Sequence, residues 1–407
     1  MIPIQPVSLQ TIPLKVADNY LKPGLLNLAA LPPLSLYVHF PWCVRKCPYC
    51  DFNSHEAGNE LPEQTYLSAV RADLEQSLPM IWGRRIVSIF IGGGTPSLMS
   101  AAGCDQLMSD IRSLLPLEPN AEITMEANPG TFEAEKFRQF AASGINRLSI
   151  GIQSFNDSHL KALGRIHDAD EARRAVTIAQ TSFDNINLDL MYGLPGQTIA
   201  ESEHDVHAAL AFDTSHLSLY HLTMEANTVF AKYPPELPDD DTCAAMQQML
   251  IEKTAIAGFQ NYEISAYARE GRRARHNLNY WEFGDYLGIG AGAHSKISFP
   301  HRIIRQARHK QPAGYMQHAM AGNAVFEETE ISRDDLGFEF MINALRLTEG
   351  VEVRQFSERT GLPLQTVEAA LNKAEAKGLL YRDHLKIAPT GLGRRFLNDL
   401  QQIFLPD

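Results

Sequence analysis

Short apolar runs rich in β-branched and aromatic residues alternate, from Leu36 to Leu222, with longer stretches whose apolar positions recur at three- and four-residue spacing. The short runs read as strands: Leu36 to Phe40, Ile86 to Ile91, Glu122 to Glu126, Arg147 to Ile152, Asn185 to Met191 and His216 to Leu222. The longer ones read as helices, for instance Glu63 to Leu78, Phe132 to Ala142, Glu171 to Thr181 and Glu201 to Ala211. Strands and helices in strict alternation predict α/β units wound around a parallel sheet. Six consecutive units over residues 34–261 predict an open, partial (β/α)6 TIM-like barrel. Chemistry in such folds gathers at the C-terminal strand ends, where Gly92 to Thr95, Glu126, Gln153 and Asp189 are expected.

The pattern changes on either side of this block. Residues 1–33 are punctuated by six prolines and read as a flexible leader. Residues 262–331 mix glycines, histidines and arginines without a clean period, and read as an irregular linker that is partly functional. From Ser332 the helical spacing returns (Ser332 to Leu345, Val353 to Arg359, Leu364 to Lys377), and Leu379 to Pro389 reads as a hairpin. Together they predict a smaller, mainly α, winged-helix-like domain over 332–407. A winged helix raises the question of nucleic acid, but this region holds ten basic and eleven acidic residues and lacks a phosphate-attracting field. Packing or partner binding is the expected role.

Composition narrows the class. A chain of 407 residues, 44% hydrophobic and 21% charged, is globular and excludes disorder, collagen and disulfide miniatures. Its apolar runs are strand-sized, far below the roughly 18 residues of a membrane span, and the prolines of the leader break any secretory core. Five cysteines, three of them within eight residues, fit no disulfide framework, so a reducing cytoplasm is expected. The net charge of -12 argues against bulk attraction to nucleic acid or anionic membrane. From Gly271 to Lys310, however, eight Arg or Lys face two acidic residues, a local +6.

The strongest chemical signal is Cys43-Val-Arg-Lys-Cys47-Pro-Tyr-Cys50, directly after the first strand. Three thiolates on one loop can hold a 4Fe-4S cluster while leaving its fourth iron open to a ligand. A structural zinc ion is the alternative, but it wants four ligands, and only His39 or His55 lies near in sequence. Gly92-Gly93-Gly94-Thr95-Pro96 after the second strand lets a ligand approach the backbone closely, or is simply a tight turn. Cys104 and Cys243 lie in helical patterns and are expected to be inert buried thiols.

The cysteine spacing, with the aromatic Tyr49 before the third thiol, resembles the radical S-adenosylmethionine (SAM) superfamily, and Tyr37 to His55 is similar to its heme chaperone HemW branch. The resemblance runs over nearly the whole chain from Leu34. It implies a cluster on Cys43, Cys47 and Cys50, with SAM bound through its amino and carboxylate groups at the open iron. Reduction in that superfamily cleaves SAM to methionine and a deoxyadenosyl radical. By the family's pattern Tyr37, Gly93, Gly94, Thr95, Glu126, Gln153, Arg165 and Asp189 correspond to SAM contacts, with Arg165 a fork for the SAM carboxylate. A related branch, oxygen-independent coproporphyrinogen III oxidase, carries a further cysteine two positions beyond the third. Phe52 stands there in this chain, so that decarboxylation is not expected.

A second motif, His276-Asn277-Leu278-Asn279-Tyr280-Trp281, resembles the HNxxYW motif of that branch, which is associated with heme. Imidazole is a standard axial ligand for heme iron, aromatics cover a macrocycle, and a basic segment suits propionates. His276, Tyr280 and Trp281 are therefore candidate heme contacts, with His294 next and His301 and His309 undecided. A hydrogen-bonded structural histidine is the plain alternative. The reading that follows is a cytoplasmic protein that binds a 4Fe-4S cluster, SAM and heme, and passes heme to an acceptor protein. Membrane association of that acceptor, enzymatic turnover and oligomeric state are left open. A porphyrinogen-decarboxylating radical enzyme and a zinc-stapled winged-helix regulator are the other readings.

Overall fold

The computed structural model describes residues 26–58, 60–131 and 134–406. Six parallel strands stand side by side in sequence order: β1 (Leu34–Phe40), β2 (Ile86–Gly93), β3 (Leu117–Ala127), β4 (Arg147–Gln153), β5 (Ile186–Tyr192) and β6 (His216–His221). Their outward residues, such as Ile89 and Ile91 on β2 and Leu148, Ile150 and Ile152 on β4, are wholly buried in the main core. The helices Glu63–Ile81, Ala101–Leu114, Ala134–Ala142, Ala169–Gln180 and Ile199–Leu210 follow successive strands. Helix starts are fixed locally: Ser100 caps the second of these, and Asp168 and Thr198 each close a reciprocal capping box with the glutamate three residues on.

The inward positions of the same strands differ in kind. A parallel sheet covered on both faces usually reads as continuous hydrophobic runs. Here alternate positions on β3 to β6 are Thr124, Glu126, Arg147, Ser149, Asn187, Asp189, His216 and Ser218. With period-two alternation these share the concave face, so the barrel encloses a polar interior. The sequence pattern that predicts the strands thus also predicts a site inside them.

The segment expected to be irregular, residues 262–331, is instead largely regular. Strands β7 (Gln260–Asn261) and β8 (Ala266–Ala268) pair antiparallel and extend the sheet beyond β6. On the other side β9 (Asp285–Ile289) pairs parallel with β1, and β10 (His294–Phe299), β11 (Arg302–Arg308) and β12 (Val325–Glu330) follow antiparallel. The result is one 12-stranded sheet in the order β12-β11-β10-β9-β1-β2-β3-β4-β5-β6-β8-β7. Buried ion pairs hide these strands from a hydropathy reading. Lys296 Nζ lies 2.9 Å from Asp285, Arg84 Nη1 lies 2.8 Å from the same carboxylate, and Arg308 Nε lies 3.3 Å from Asp73, with every carboxylate closed off from solvent. Charged residues in core positions break the apolar alternation that marks a strand.

The leader needs a similar correction where it is described. Residues 1–25 lie outside the described residues, but Leu28 is 5% exposed and its N–H donates to the Pro300 carbonyl at 2.9 Å. It joins a second core with Phe283, Ile303, Phe340, Phe356, Leu371 and Leu400. That core belongs mainly to helices Leu336–Ala344, Val353–Thr360 and Glu368–Ala376 and to a small sheet of Val351–Glu352, Leu380–Arg382 and Lys386–Pro389. The winged-helix-like unit is therefore packed onto the strands before it through Phe283 and Ile303. No helix among the described residues is long and apolar enough to cross a membrane.

Candidate functional site

The cysteine loop leaves the C-terminal end of β1 and is closed at its base by a short parallel pairing of Trp42–Cys43 with His55–Glu56. Inside the loop, Lys46 Nζ donates to the carbonyls of Phe52 and Ser54 at 3.0 and 3.3 Å, and Cys50 N donates to Cys47 O at 3.2 Å. Asn53 fastens it to the body, its Nδ2 donating to the carbonyls of Ala291 and Lys310 at 2.9 and 2.8 Å. All three thiols are half-buried and line one cavity of about 370 Å³ at the strand ends. Burial pushes the thiols of Cys43 and Cys50 up, against hydrogen bonds from Thr95 to the first and from Phe52 and Ser54 to the second. Such thiols become thiolates when a cation binds them.

Among the described residues no three His, Cys, Asp or Glu side chains converge on a single metal-ion position. A closed tetrahedral zinc site needs four such ligands at one position. Three separated thiols around one cavity fit a cubane, whose irons are each bound by a different thiolate.

The same cavity is lined by Tyr49, Gly93, Gly94, Thr95, Glu126, Gln153, Arg165 and Asp189. The glycine segment docks on the loop stem, with Gly94 N donating to Phe40 O and Thr95 N to Trp42 O, both at 2.7 Å. A Cβ at Gly94 would sit 2.5 Å from the Trp42 carbonyl oxygen, and Gly93 has φ +113, so neither position tolerates a side chain. Gly93 N donates to Glu126 Oε2 at 3.0 Å. Arg165 spans the mouth: Nη2 donates to Asn128 Oδ1 at 2.8 Å and Gly151 O at 2.7 Å, and Nη1 lies 3.7 Å from Cys47 Sγ. Asp189 accepts from Ser149 Oγ at 2.9 Å and Asn187 Nδ2 at 2.8 Å, and burial raises its pKa.

Tyr37 is the exception among the candidates. It does not stand on the cavity wall: its hydroxyl bonds His39 Nδ1 at 2.8 Å, its ring stacks on Phe90, and His39 Nε2 in turn meets Asn53 O at 3.0 Å. It supports the loop from below. Conversely Asn128, Ser149, Gly151, Met191, Tyr220 and His221 line the cavity and were not singled out from sequence. For Ser149 and Gly151 a signal existed, because they share the inward face with Gln153 at period two.

Glu126 is pushed up to about 8 by burial, and by the neighbouring Asp189, against the Gly93 N–H. Between its ordinary value of 4.5 and about 8 the folded chain holds a proton that the unfolded chain has released, so stability falls as pH rises through that window. Glu126→Gln removes this dependence. In thermal melts of cluster-free protein, the gain of Glu126→Gln over wild type should grow from pH about 5 to pH about 8. A gain independent of pH would show that the carboxyl titrates normally.

His276 sits elsewhere. The helix Arg275–Trp281 crosses the floor of the barrel, at the opposite strand ends, where His276 Nδ1 lies 2.7 Å from Glu122 Oε1 and its ring packs on Phe90 at 4.5 Å. Glu122 also accepts from the backbone N–H groups of Arg275 and His276 at 3.1 to 3.3 Å. Burial alone would raise Glu122, but His276, the nearby Arg147 charge and the backbone N–H of Arg275 hold it well below the usual carboxylate range. Burial lowers His276 against that hydrogen bond. The pair is thus a carboxylate accepting from Nδ1–H of a neutral imidazole, which leaves Nε2 as the nitrogen for a ligand.

Tyr280 and Trp281 do not complete one face with His276. Tyr280 is 41% exposed and packs on Tyr286 at 5.0 Å, while Trp281 lies under Arg346, 4.2 Å from its ring centroid. Trp281 is five residues beyond His276, about 140° round the helix, so its ring turns toward the C-terminal unit. Tyr280, four residues beyond His276, stays on the His276 side of the helix. The expected basic patch also dissolves. Arg273, Arg275, Lys296, Arg302, Arg305 and Arg308 are paired with Glu349, Glu118, Asp285, Glu330, Glu339 and Asp73.

The radical SAM superfamily model matches residues 37–209, and the HemN C-terminal domain model matches residues 331–396. The heme chaperone HemW of Haemophilus influenzae is 46% identical over 383 residues, covering 93% of this chain and 99% of that protein. The Escherichia coli heme chaperone HemW is 45% identical over 384 residues, covering 93% and 100%, and that of Bacillus subtilis 34% over 380 residues, covering 91% and 99%. Among solved structures, the coproporphyrinogen III oxidase HemN of Escherichia coli, a radical SAM enzyme, aligns with a TM-score of 0.78 at 23% identity over 96% of this chain and 98% of its own. That likeness is one of fold.

Proposed function

The chain belongs to the heme chaperone HemW family of the radical SAM superfamily, and from that premise we propose that it binds heme and hands it to an acceptor protein, with a 4Fe-4S cluster on Cys43, Cys47 and Cys50 and SAM at the open iron. The observation that carries the cofactor half is the convergence of three thiols, a glycine strand end, Glu126, Gln153, Arg165 and Asp189 on one cavity. When bound, such a cluster supplies an open iron that anchors SAM and an electron for its reduction.

The chain's own residues supply the rest. Gly93 and Gly94 admit a ligand to the backbone, and Arg165, already beside Cys47, offers its fork to a carboxylate bound next to that thiolate. Glu126 and Asp189 stand ready to accept from ammonium or ribose hydroxyl groups, and binding a cation there would favour their ionised forms. For heme, the Glu122 to His276 hydrogen bond resembles the carboxylate partner that fixes the tautomer of a metal-bound imidazole and raises its basicity. We assign residues 34–261 to the barrel and 332–407 to the C-terminal domain. The intervening strands join the two. A cytoplasmic setting suits five free thiols.

The second reading, decarboxylation of a porphyrinogen, shares this barrel. Phe52 speaks against it, since it is 58% exposed at the cavity rim in the position of the extra thiol of that branch. Incubated with coproporphyrinogen, SAM and reductant, the reconstituted protein should form no protoporphyrinogen. Steady, SAM-dependent formation would replace the chaperone reading by the enzymatic one. The chaperone reading itself is tested by titrating heme into the reconstituted protein and then adding a candidate acceptor.

A further inference from the structure

A row of buried polar side chains stands behind the wall of the cysteine cavity. Ser149 on β4, Asn187 on β5 and His216 on β6 are register partners on adjacent strands, and Asp189 pairs with Ser218 in the next inward row toward the mouth. Asp189 and Ser149 line the cavity. Asn187, His216 and Tyr262 are 1%, 0% and 1% exposed and lie outside its lining.

Each hydrogen bond in the row has one possible direction. Asn187 Nδ2 lies 2.8 Å from Asp189 Oδ1 and 2.7 Å from Ser149 Oγ. Facing a carboxylate it is the donating end of the amide, so Oδ1 accepts from His216 Nδ1 at 2.6 Å and from Ser218 Oγ at 3.0 Å. His216 Nδ1 therefore carries the proton, and Nε2 accepts from the Tyr262 hydroxyl at 2.9 Å. Tyr262 Oη accepts in turn from the Ala274 N–H at 3.3 Å and from Asn277 Nδ2 at 3.4 Å. Burial, with the Arg147 charge nearby, holds His216 well below its ordinary value, so the imidazole is neutral and keeps this tautomer. The donors all point one way, from the start of the helix Arg275–Trp281 through Tyr262, His216 and Asn187 to Asp189.

Apolar side chains at 187 and 216 would fill the same interior without any of these bonds. A buried polar row is unfavourable when half satisfied and rigid when complete. What the polar choice adds is the orientation of one carboxylate. Asn187 holds Asp189 Oδ1, and Ser149 Oγ donates to Oδ2 at 2.9 Å. A carboxylate can accept at about four positions, so Asp189 keeps capacity for a donor inside the cavity that it lines. A group already held in its binding pose spares the ligand the entropy of ordering it.

We propose that Asn187 is a positioning residue of the SAM site: its amide, oriented by His216 and Tyr262, holds the Asp189 carboxylate in the pose that accepts from a hydroxyl or ammonium group of SAM. This rests on the SAM reading of the cavity above and extends the site to three residues that do not touch the ligand.

The test is a double-mutant cycle on SAM affinity, measured by equilibrium dialysis of labelled SAM against anaerobically reconstituted proteins of equal iron and sulfide content. Asn187→Leu should weaken SAM binding roughly tenfold, as loss of a group that supports a ligand contact does. In an Asp189→Ala background the same substitution should change affinity by less than about twofold, because the carboxylate through which it acts is gone. His216→Asn, which keeps an N–H donor in the place of Nδ1, should bind SAM more tightly than His216→Phe. An Asn187→Leu protein with wild-type affinity, or an equal loss with and without Asp189, overturns the role of Asn187 while leaving the SAM site in place. If Asn187→Leu holds no cluster, the His216 pair decides, and equal SAM affinity in its two variants overturns the proposal. Wild type that holds the cluster and binds no SAM overturns the SAM reading and this inference with it.

Discussion

Anaerobically reconstituted Cys47→Ala protein is expected to retain less than about a tenth of the wild-type iron and sulfide, because three thiolates are already the minimum that leaves one iron open. Cys43→Ala and Cys50→Ala should behave alike. Cys104→Ala and Cys243→Ala should hold a full cluster, since both thiols are buried away from the loop in the helices Ala101–Leu114 and Asp240–Ile256. Burial and the nearby Asp105 push Cys104 up to about 12, and it lies outside the cavity that the three loop thiols line. Iron and sulfide analysis with absorption near the cluster bands decides the matter. Near-stoichiometric iron in Cys47→Ala would remove the loop from the cluster site.

His276→Ala carries the second large effect. Loss of the imidazole should weaken heme binding by roughly a hundredfold or more and shift the Soret band, while Glu122→Gln should cost on the order of tenfold to a hundredfold. The two variants separate ligation from support. In Glu122→Gln the imidazole remains, so the Soret position should hold, but the Nδ1–H now faces a neutral amide and the heme reduction potential should rise. Cluster content should not change in either, because the helix Arg275–Trp281 sits at the barrel floor and the cysteine loop at its mouth. Trp281→Ala should act through the C-terminal unit, where its ring carries Arg346, and lower stability more than heme affinity. Unchanged heme affinity and spectrum in His276→Ala would move ligation to another residue, with His294 next.

The barrel was legible because its signal is local. Alternation on β1 to β6 and helical spacing between them can each be read in a short window, and so can the cysteine spacing that puts three thiols on one loop. What stayed hidden depends on partners distant in sequence. Strands β9 to β11 carry Asp285, Lys296 and Arg308 in buried positions; Asp285 and Lys296 offset each other, and Arg84 and Asp73, more than 200 positions away, complete the pairing of Asp285 and Arg308. The +6 segment looked like a surface for acids because Glu118 and Glu349, its partners, are far away in the chain. Glu122 was read only as the edge of a strand. Its pairing with His276 spans 154 positions and exists only once the helix is laid across the floor.

The proposed function requires one chain to hold cluster and heme at two separate places. The direct measurement is a heme titration of the reconstituted protein, followed in parallel by the Soret band and by the cluster's electron paramagnetic resonance with SAM present and absent. Saturable heme binding at about one equivalent, abolished in His276→Ala but retained in Cys47→Ala, alongside a SAM-sensitive cluster signal retained in His276→Ala, is the predicted result. Heme binding that disappears with the cysteines and survives without His276 would contradict it.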